Sequence, residues 1–176
     1  MAGSSTASAF FFDLASPVAY LAAERALQDH PGVEWVPVLA RELASAETFE
    51  TYRCAQERDI ALEQIEVEAF ERGLQPIRWP DPFPFDSRFA MLAATYAKQI
   101  GRTVAFALAA FRQAYAGGRS LAEPDNVLIA AAACEMHPAA VMKAVELRGV
   151  RSALDDATAR ARALGARDVP YVWNGA

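Results

Sequence analysis

The sequence predicts an α/β fold in which strands at the two ends of the chain flank a long block of helices. The chain opens with a predicted strand, helix and strand at residues 9–12, 16–28 and 33–39. From about residue 40 to residue 150 the pattern is helical, and a strand signal returns only at residues 169–173. This order is what assigns the chain to the α/β class.

The opening unit has clear local signals for each of its elements. Residues 9–12 form a short apolar and aromatic run, which is typical of a buried strand. Ser16 and Pro17 fit the start of a helix, because serine is a good N-cap and proline suits the first helical turn. Residues 33–39 alternate in polarity and predict a second strand, in which Pro37 fits best at a sheet edge.

The central block is predicted to contain several helices separated by breaks. A charged helical segment covers residues 41–73, and a loop with four prolines and three aromatic residues follows at residues 75–86. The later helices, including the last one of the chain, are predicted to begin at capping or proline signals: Asp86 or Ser87, Thr103, the capping box of Ser120 with Glu123, Pro138, and Ser152 with Asp155.

Composition and charge exclude several classes of partner. The 176 residues carry a net charge of -5 with scattered Lys and Arg, which argues against nucleic-acid binding. No apolar run approaches the roughly 20 residues that span a bilayer. Residues 1–8 lack the features of a secretory signal, so we expect a flexible N-terminus and a cytoplasmic protein.

Few residues carry the thiol or imidazole groups that bind zinc or form a redox pair. Cys54 and Cys134 are far apart and form no Cys-x-x-Cys motif, so we expect free thiols in a reducing compartment. His30 and His137 each precede a proline and are expected at helix ends or turns. With so few soft ligands, the sequence predicts no metal site.

Three stretches could carry chemistry, and each has a purely structural alternative. Ser16 lies between a strand and a helix N-terminus, where it could help to bind an anion or serve only as an N-cap. Val169 and Pro170 precede the last strand, where the proline could be cis or simply start the strand. The loop that carries Trp79 and Phe83 could line an apolar pocket or cover the core.

Together these stretches resemble a known family. Residues 11–21 (Phe-Phe-Asp-Leu-Ala-Ser-Pro-Val-Ala-Tyr-Leu) resemble the opening of the 2-hydroxychromene-2-carboxylate isomerases. These are relatives of the kappa-class glutathione transferases within the DsbA-like thioredoxin superfamily. Residues 35–39, the segment ending at Phe83-Pro84, and residues 88–115 are similar to that family as well.

The resemblance implies a fold and an activity. The fold would be a thioredoxin-like domain at residues 1–40 and 150–176, split by a helical insertion at residues 41–149. The activity would be cis–trans isomerisation of a conjugated aromatic acid, a small-molecule substrate, with glutathione or another low-molecular-weight thiol as cofactor. A kappa-type transferase and a non-catalytic thioredoxin-like binding module are the alternatives.

The resemblance also implies roles for particular residues. Ser16 would replace the nucleophilic cysteine of the redox relatives and hold the thiol sulfur. Pro17 and a cis Pro170 would complete the thiol site, where the Val169 backbone would pair with the thiol peptide. Asp13 could tune the site or simply end its strand.

The substrate pocket would be lined by Trp79 and Phe83.

The chain differs from its relatives at three places that concern the implied thiol site. Relatives usually carry an Asn after the second strand, and often a Lys further on, that help to hold glutathione, whereas residues 41–71 of this chain contain neither. Asp168 replaces the glycine that commonly precedes the Val-Pro pair. The chain also ends at Ala176, where relatives continue into a fourth strand, so we expect an unpaired sheet edge and a homodimer.

Overall fold

The computed structural model describes residues 7–43 and 54–175 of the chain. Within these residues a three-stranded sheet is formed by β1 (Ala9–Phe12), β2 (Glu34–Pro37) and β3 (Tyr171–Trp173), in the order β2-β1-β3. β1 pairs in parallel with β2 and antiparallel with β3. The central strand therefore has one neighbour from each end of the chain.

Helices occupy most of the rest of the described chain. They are α1 (Pro17–Asp29), a 3-10 turn (Ala40–Glu42), α2 (Ala55–Glu71), α3 (Arg88–Gln99), α4 (Thr103–Tyr115), α5 (Pro124–Ala133), α6 (Pro138–Ala144) and α7 (Arg148–Ala163). Helix α1 connects β1 to β2, and α2 to α7 lie between β2 and β3. No helix in the described ranges is both long enough and apolar enough to cross a membrane.

Most of the predicted elements are present, with differences at their bounds. The predicted helical segment at residues 41–73 is a 3-10 turn and α2, and its residues 44–53 lie outside the described residues. The expected flexible start falls mostly in residues 1–6, which are also outside them. Pro37 ends β2, which is an edge strand as predicted.

The predicted capping box of α5 is wrong. The helix begins at Pro124 with Glu123 at its N-cap, one turn later than predicted. The Ser120 side chain instead accepts a hydrogen bond from the Ala122 N–H, and the Ser120 carbonyl accepts one from the Asn126 side chain. Ser120 therefore closes a turn before the helix, and the helix starts where proline suits its first turn.

The predicted start of the last helix is also wrong. Helix α7 begins at Arg148, before the predicted Ser152 and Asp155 signal. Val150 and Leu154 are both buried in the main core, so packing extends the helix by a turn beyond its local capping signal.

Both faces of β1 are covered, which explains its unbroken apolar sequence. Phe10 and Phe12 pack into the main core, where the Phe12 ring centroid lies 6.0 Å from that of Phe111 on α4. Ala9 and Phe11 face the other side and pack into a second cluster with Val169 and residues of β2 and α7. Helices thus cover both sides of the small sheet.

An ion-pair network links the edge strand β2 to helices α3 and α7. Glu34 on β2 accepts hydrogen bonds from Lys98 on α3 at 2.6 Å and from Arg160 on α7 at 3.1 Å. Burial alone would raise the pKa of Glu34, but the two cations hold it below its ordinary value. The carboxylate is therefore the favoured form at this junction.

Candidate functional site

Ser16 lies where the carboxyl end of β1 meets the start of α1. Its Oγ accepts a hydrogen bond from the Ala19 N–H at 3.1 Å, which is the N-cap bond of the helix. Its own N–H donates to the Asp13 carbonyl at 3.1 Å, and Pro17 is buried at the first helical position. The predicted cap is confirmed, and the hydroxyl lies at the helix end that favours negative charge.

The sheet brings Val169 to Ser16 across 153 residues of sequence. The Ser16 hydroxyl donates to the Val169 carbonyl at 3.4 Å. The Val169–Pro170 peptide bond is cis, as the resemblance implies. Because β3 pairs with β1 in the antiparallel sense, the turn before β3 lies beside the loop after β1. These residues, from opposite ends of the chain, are in contact.

The amide of Val169 is engaged differently from its carbonyl. The Val169 N–H donates to Asp168 Oδ1 at 2.7 Å, and Val169 is only 5% exposed. The contact with Ser16 is made by the Val169 carbonyl. Both groups are therefore already hydrogen-bonded within the protein.

Asp13 begins and supports the motif loop, residues 13–16, which ends at Ser16. Its carboxylate is buried and accepts hydrogen bonds from the N–H groups of Ala15 and Ala40, each at 2.9 Å. Burial raises the pKa of Asp13, while these bonds and one from the Ser87 side chain act to lower it. With its oxygens engaged in this way, Asp13 holds the motif loop against the turn after β2.

Two helices of the central block hold the next residue of the loop. The Leu14 N–H contacts the Met91 sulfur on α3 at 3.3 Å, and the Tyr115 hydroxyl on α4 donates to the Leu14 carbonyl at 3.2 Å. Tyr115 is fully buried, and burial raises its pKa well above the ordinary value, so its phenol stays protonated. Nothing in the local sequence around these two helix residues pointed to a supporting role.

The aromatic loop adjoins this support. Trp79 and Phe83 are half-buried, and their ring centroids lie 4.9 Å apart. They lie 6.2 and 6.4 Å from the ring of Tyr115, which contacts the motif loop. The Phe83 carbonyl accepts a hydrogen bond from the Arg58 guanidinium on α2 at 2.6 Å. The pocket that the resemblance implies here stays a prediction.

The cysteines and histidines take no part in the contacts described around Ser16. Cys54 is exposed, whereas Cys134 is buried, and burial raises the pKa of its thiol. His30 is the C-cap of α1 and His137 the N-cap of α6, as expected of helix-end residues. Over the ranges that the structure describes, no group of three or more His, Cys, Asp or Glu residues could hold a metal ion.

Several solved structures share this arrangement of strands and helices. One is a 2-hydroxychromene-2-carboxylate isomerase, with a TM-score of 0.76 and 16% identity over 97% of this chain and 89% of that one. Another is a probable DsbA oxidoreductase from Streptomyces coelicolor, with a TM-score of 0.69 and 21% identity over 96% and 82% of the two chains. A third is the cytosolic disulfide reductase DsbM from Pseudomonas aeruginosa with GSH, with a TM-score of 0.66 and 19% identity over 94% and 84%.

At these identities the solved structures establish the fold alone. A search of curated protein sequences found no match. The family model for the DSBA-like thioredoxin domain matches residues 9–175, which includes all three strands and the whole helical block between β2 and β3. The chain therefore belongs to the DsbA-like thioredoxin domain family, with a large helical insertion between its second and third strands.

Proposed function

We propose that the protein is a thiol-dependent cis–trans isomerase of conjugated aromatic acids, of the 2-hydroxychromene-2-carboxylate type. One observation carries the proposal. The Ser16 hydroxyl stands at the N-terminus of α1, within hydrogen-bond distance of the backbone that precedes the cis Pro170. A hydroxyl, a helix N-terminus and a peptide backbone are the groups needed to hold the anionic sulfur of a small thiol peptide.

The strength of these interactions is sufficient to ionise a thiol. Lowering a thiol pKa from about 8.5 to about 7 costs about 2 kcal/mol. A hydroxyl that donates to an anion contributes about 1.5–3 kcal/mol, and a helix N-terminus contributes about 0.3–1 kcal/mol. The bond from Ser16 to the Val169 carbonyl, at 3.4 Å, is long for a hydroxyl donor, so the hydroxyl can turn toward an anion at small cost.

The site supports binding by orientation of the thiol peptide as well as by charge. An extended peptide that pairs with the Val169 backbone would be held as an added strand, with its sulfur directed to Ser16. When bound, the thiol supplies a nucleophile that adds reversibly to a conjugated carbon, so that the former double bond can rotate before the thiolate leaves and the double bond re-forms. Ser16 holds the negative charge of the sulfur before the addition and after the departure.

The substrate side of the site would be the aromatic loop. Trp79 and Phe83 are half-buried and adjoin the motif loop through Tyr115. Their ring faces offer an apolar surface for a flat conjugated acid. The Arg58 guanidinium donates to the Phe83 carbonyl, so this hydrogen bond holds the aromatic loop against α2.

The proposal is tested by following 2-hydroxychromene-2-carboxylate isomerisation by absorbance, with and without added glutathione. Ser16→Ala should lower kcat/KM by about 10–100-fold, because it removes one hydrogen bond to an anion. The exposed Ser152 on α7 supplies the matched control, and Ser152→Ala should leave the rate unchanged. Equal rates for Ser16→Ala and the wild type would contradict the proposal.

The fate of the thiol separates two enzymatic outcomes. An isomerase returns the thiol after each turnover, so its concentration stays constant while substrate is converted. A kappa-type transferase leaves the sulfur attached to its product and consumes one thiol per turnover. Titration of free thiol during the reaction therefore decides between them.

One observation favours a non-catalytic binding module as the second candidate. Both backbone groups of Val169 are already hydrogen-bonded, and the residue is nearly buried. A thiol peptide must displace these bonds in order to pair with it. Calorimetric titration with several small thiols tests this candidate, since a module of this kind would bind none of them.

A further inference from the structure

The carboxylate of Asp168 caps the backbone amide at the centre of the proposed thiol site. Asp168 Oδ1 accepts the Val169 N–H at 2.7 Å, while the Val169 carbonyl is engaged by Ser16 at 3.4 Å. We propose that Asp168 determines which thiol the site accepts. It disfavours thiols with a net negative charge, glutathione included, and favours those without one. This inference rests on the proposed thiol-dependent function.

The hydrogen bonds to Val169 differ in how easily a ligand can replace them. A bond to an ionised carboxylate is roughly twice as strong as one between neutral groups. A peptide carbonyl is a neutral acceptor, so it competes poorly for the Val169 N–H. The bond to the Val169 carbonyl is long and comes from a neutral hydroxyl, so a peptide N–H can replace it. A ligand therefore gains its pairing mainly at the carbonyl.

The charge of Asp168 acts on the same ligand. Asp168 and Ser16 each hold one backbone group of Val169, so the carboxylate lies close to the place where the thiolate would be held. Asp168 is exposed, and water screens its charge. We expect repulsion of one additional ligand charge to weaken binding about fivefold.

Glutathione and its glycine monoethyl ester are suitable probes. They share one tripeptide, and the ester carries one negative charge fewer. Isothermal titration of the wild type should give an affinity for the ester about fivefold higher than for glutathione. Asp168→Asn keeps an oxygen that can cap the amide but removes the charge, so it should abolish this preference.

A second variant separates the cap from the charge. Asp168→Ala removes both, so it should bind both probes more tightly than Asp168→Asn does, with a total gain for glutathione of about tenfold or more over the wild type. Asp125→Asn, at an exposed position on α5, removes the same charge away from the strands and should behave as the wild type. Circular dichroism of each variant checks that the fold is retained.

The outcomes distinguish this inference from the function on which it rests. If the wild type binds both probes equally and neither Asp168 variant changes the affinities, the inference is overturned while thiol binding stands. If only the Asp168 variants bind, the inference is supported. If no form of the protein binds either probe, both the inference and the proposed function are overturned.

Discussion

Replacing Asp13 with alanine removes the acceptor for two backbone amides that hold the loop before Ser16. Each amide lies 2.9 Å from a carboxylate oxygen, and an orphaned buried donor costs about 1–3 kcal/mol. Ala15 and Ala40 are only partly buried, so the lower end of this range applies to each. The loss of the bond from the Ser87 side chain adds to the cost, while relief of the desolvated carboxylate opposes it. We expect a net destabilisation of about 2–3 kcal/mol.

Chemical and thermal unfolding measure this effect. For a chain of this length, 2–3 kcal/mol corresponds to a fall in Tm of about 4–12 °C. Urea unfolding of Asp13→Ala should show a lower midpoint with an unchanged slope, since the change concerns stability and not the surface exposed on unfolding. A variant within about 0.5 kcal/mol of the wild type would refute the supporting role of Asp13.

The pH dependence supplies an independent check. Because burial raises the pKa of folded Asp13 above its ordinary value of 3.8, the folded state binds the proton more tightly than the unfolded state. Proton binding to folded Asp13 therefore adds a stabilising contribution that is full below pH 3.8 and is lost as the pH rises through the folded pKa, in addition to the hydrogen bonds that Asp13→Ala removes. Asp13→Asn cannot titrate, so the difference between its curve and that of the wild type should show this slope. A flat difference would contradict the assignment.

Further outcomes are expected from stability, redox and association measurements. Tyr115→Phe keeps the ring but loses the bond to the Leu14 carbonyl, so urea unfolding should show a loss of about 1–2 kcal/mol. Glu34→Gln should cost about 0.5–1 kcal/mol at neutral pH, since its ion pairs are partly solvent-screened. Because the pKa of Glu34 is lowered, this difference should disappear as the pH falls below 4.5 through the folded pKa. Insulin reduction should show no turnover, and replacing both Cys54 and Cys134 with serine should leave the circular dichroism spectrum unchanged. Light scattering at rising concentration should show a dimer, because in the described part of the chain the outer edge of β3 has no paired strand; a monomer at the highest concentration would argue against pairing at this edge.

The elements that the sequence predicted well are those with strong local signals. The apolar run at residues 9–12 and the pair Ser16-Pro17 determine a buried strand and a capped helix without help from distant residues. The predicted starts of α5 and α7 were wrong. A side-chain turn at Ser120 overrode the capping signal of α5, and core packing overrode the signal at Ser152 in α7.

Local sequence patterns predicted only part of the candidate site. The Ser16 cap followed from residue type and position, and the cis geometry at Pro170 came from the resemblance and not from any local signal. The cap on the Val169 amide by Asp168 depends on side-chain geometry, which residue type does not specify. The support from Tyr115 was hidden because it comes from 101 residues away.

By itself the sequence determined the order of strands and helices, the cap at Ser16 and the absence of a Cys-x-x-Cys pair. These features depend on neighbours within a few residues, where backbone preference and periodicity act. Tertiary structure alone decided that β3 pairs beside β1 and places the Val169 carbonyl against the Ser16 hydroxyl. It also decided that two helices hold the motif loop, because contacts between distant segments form only where packing of the whole core brings their backbones together.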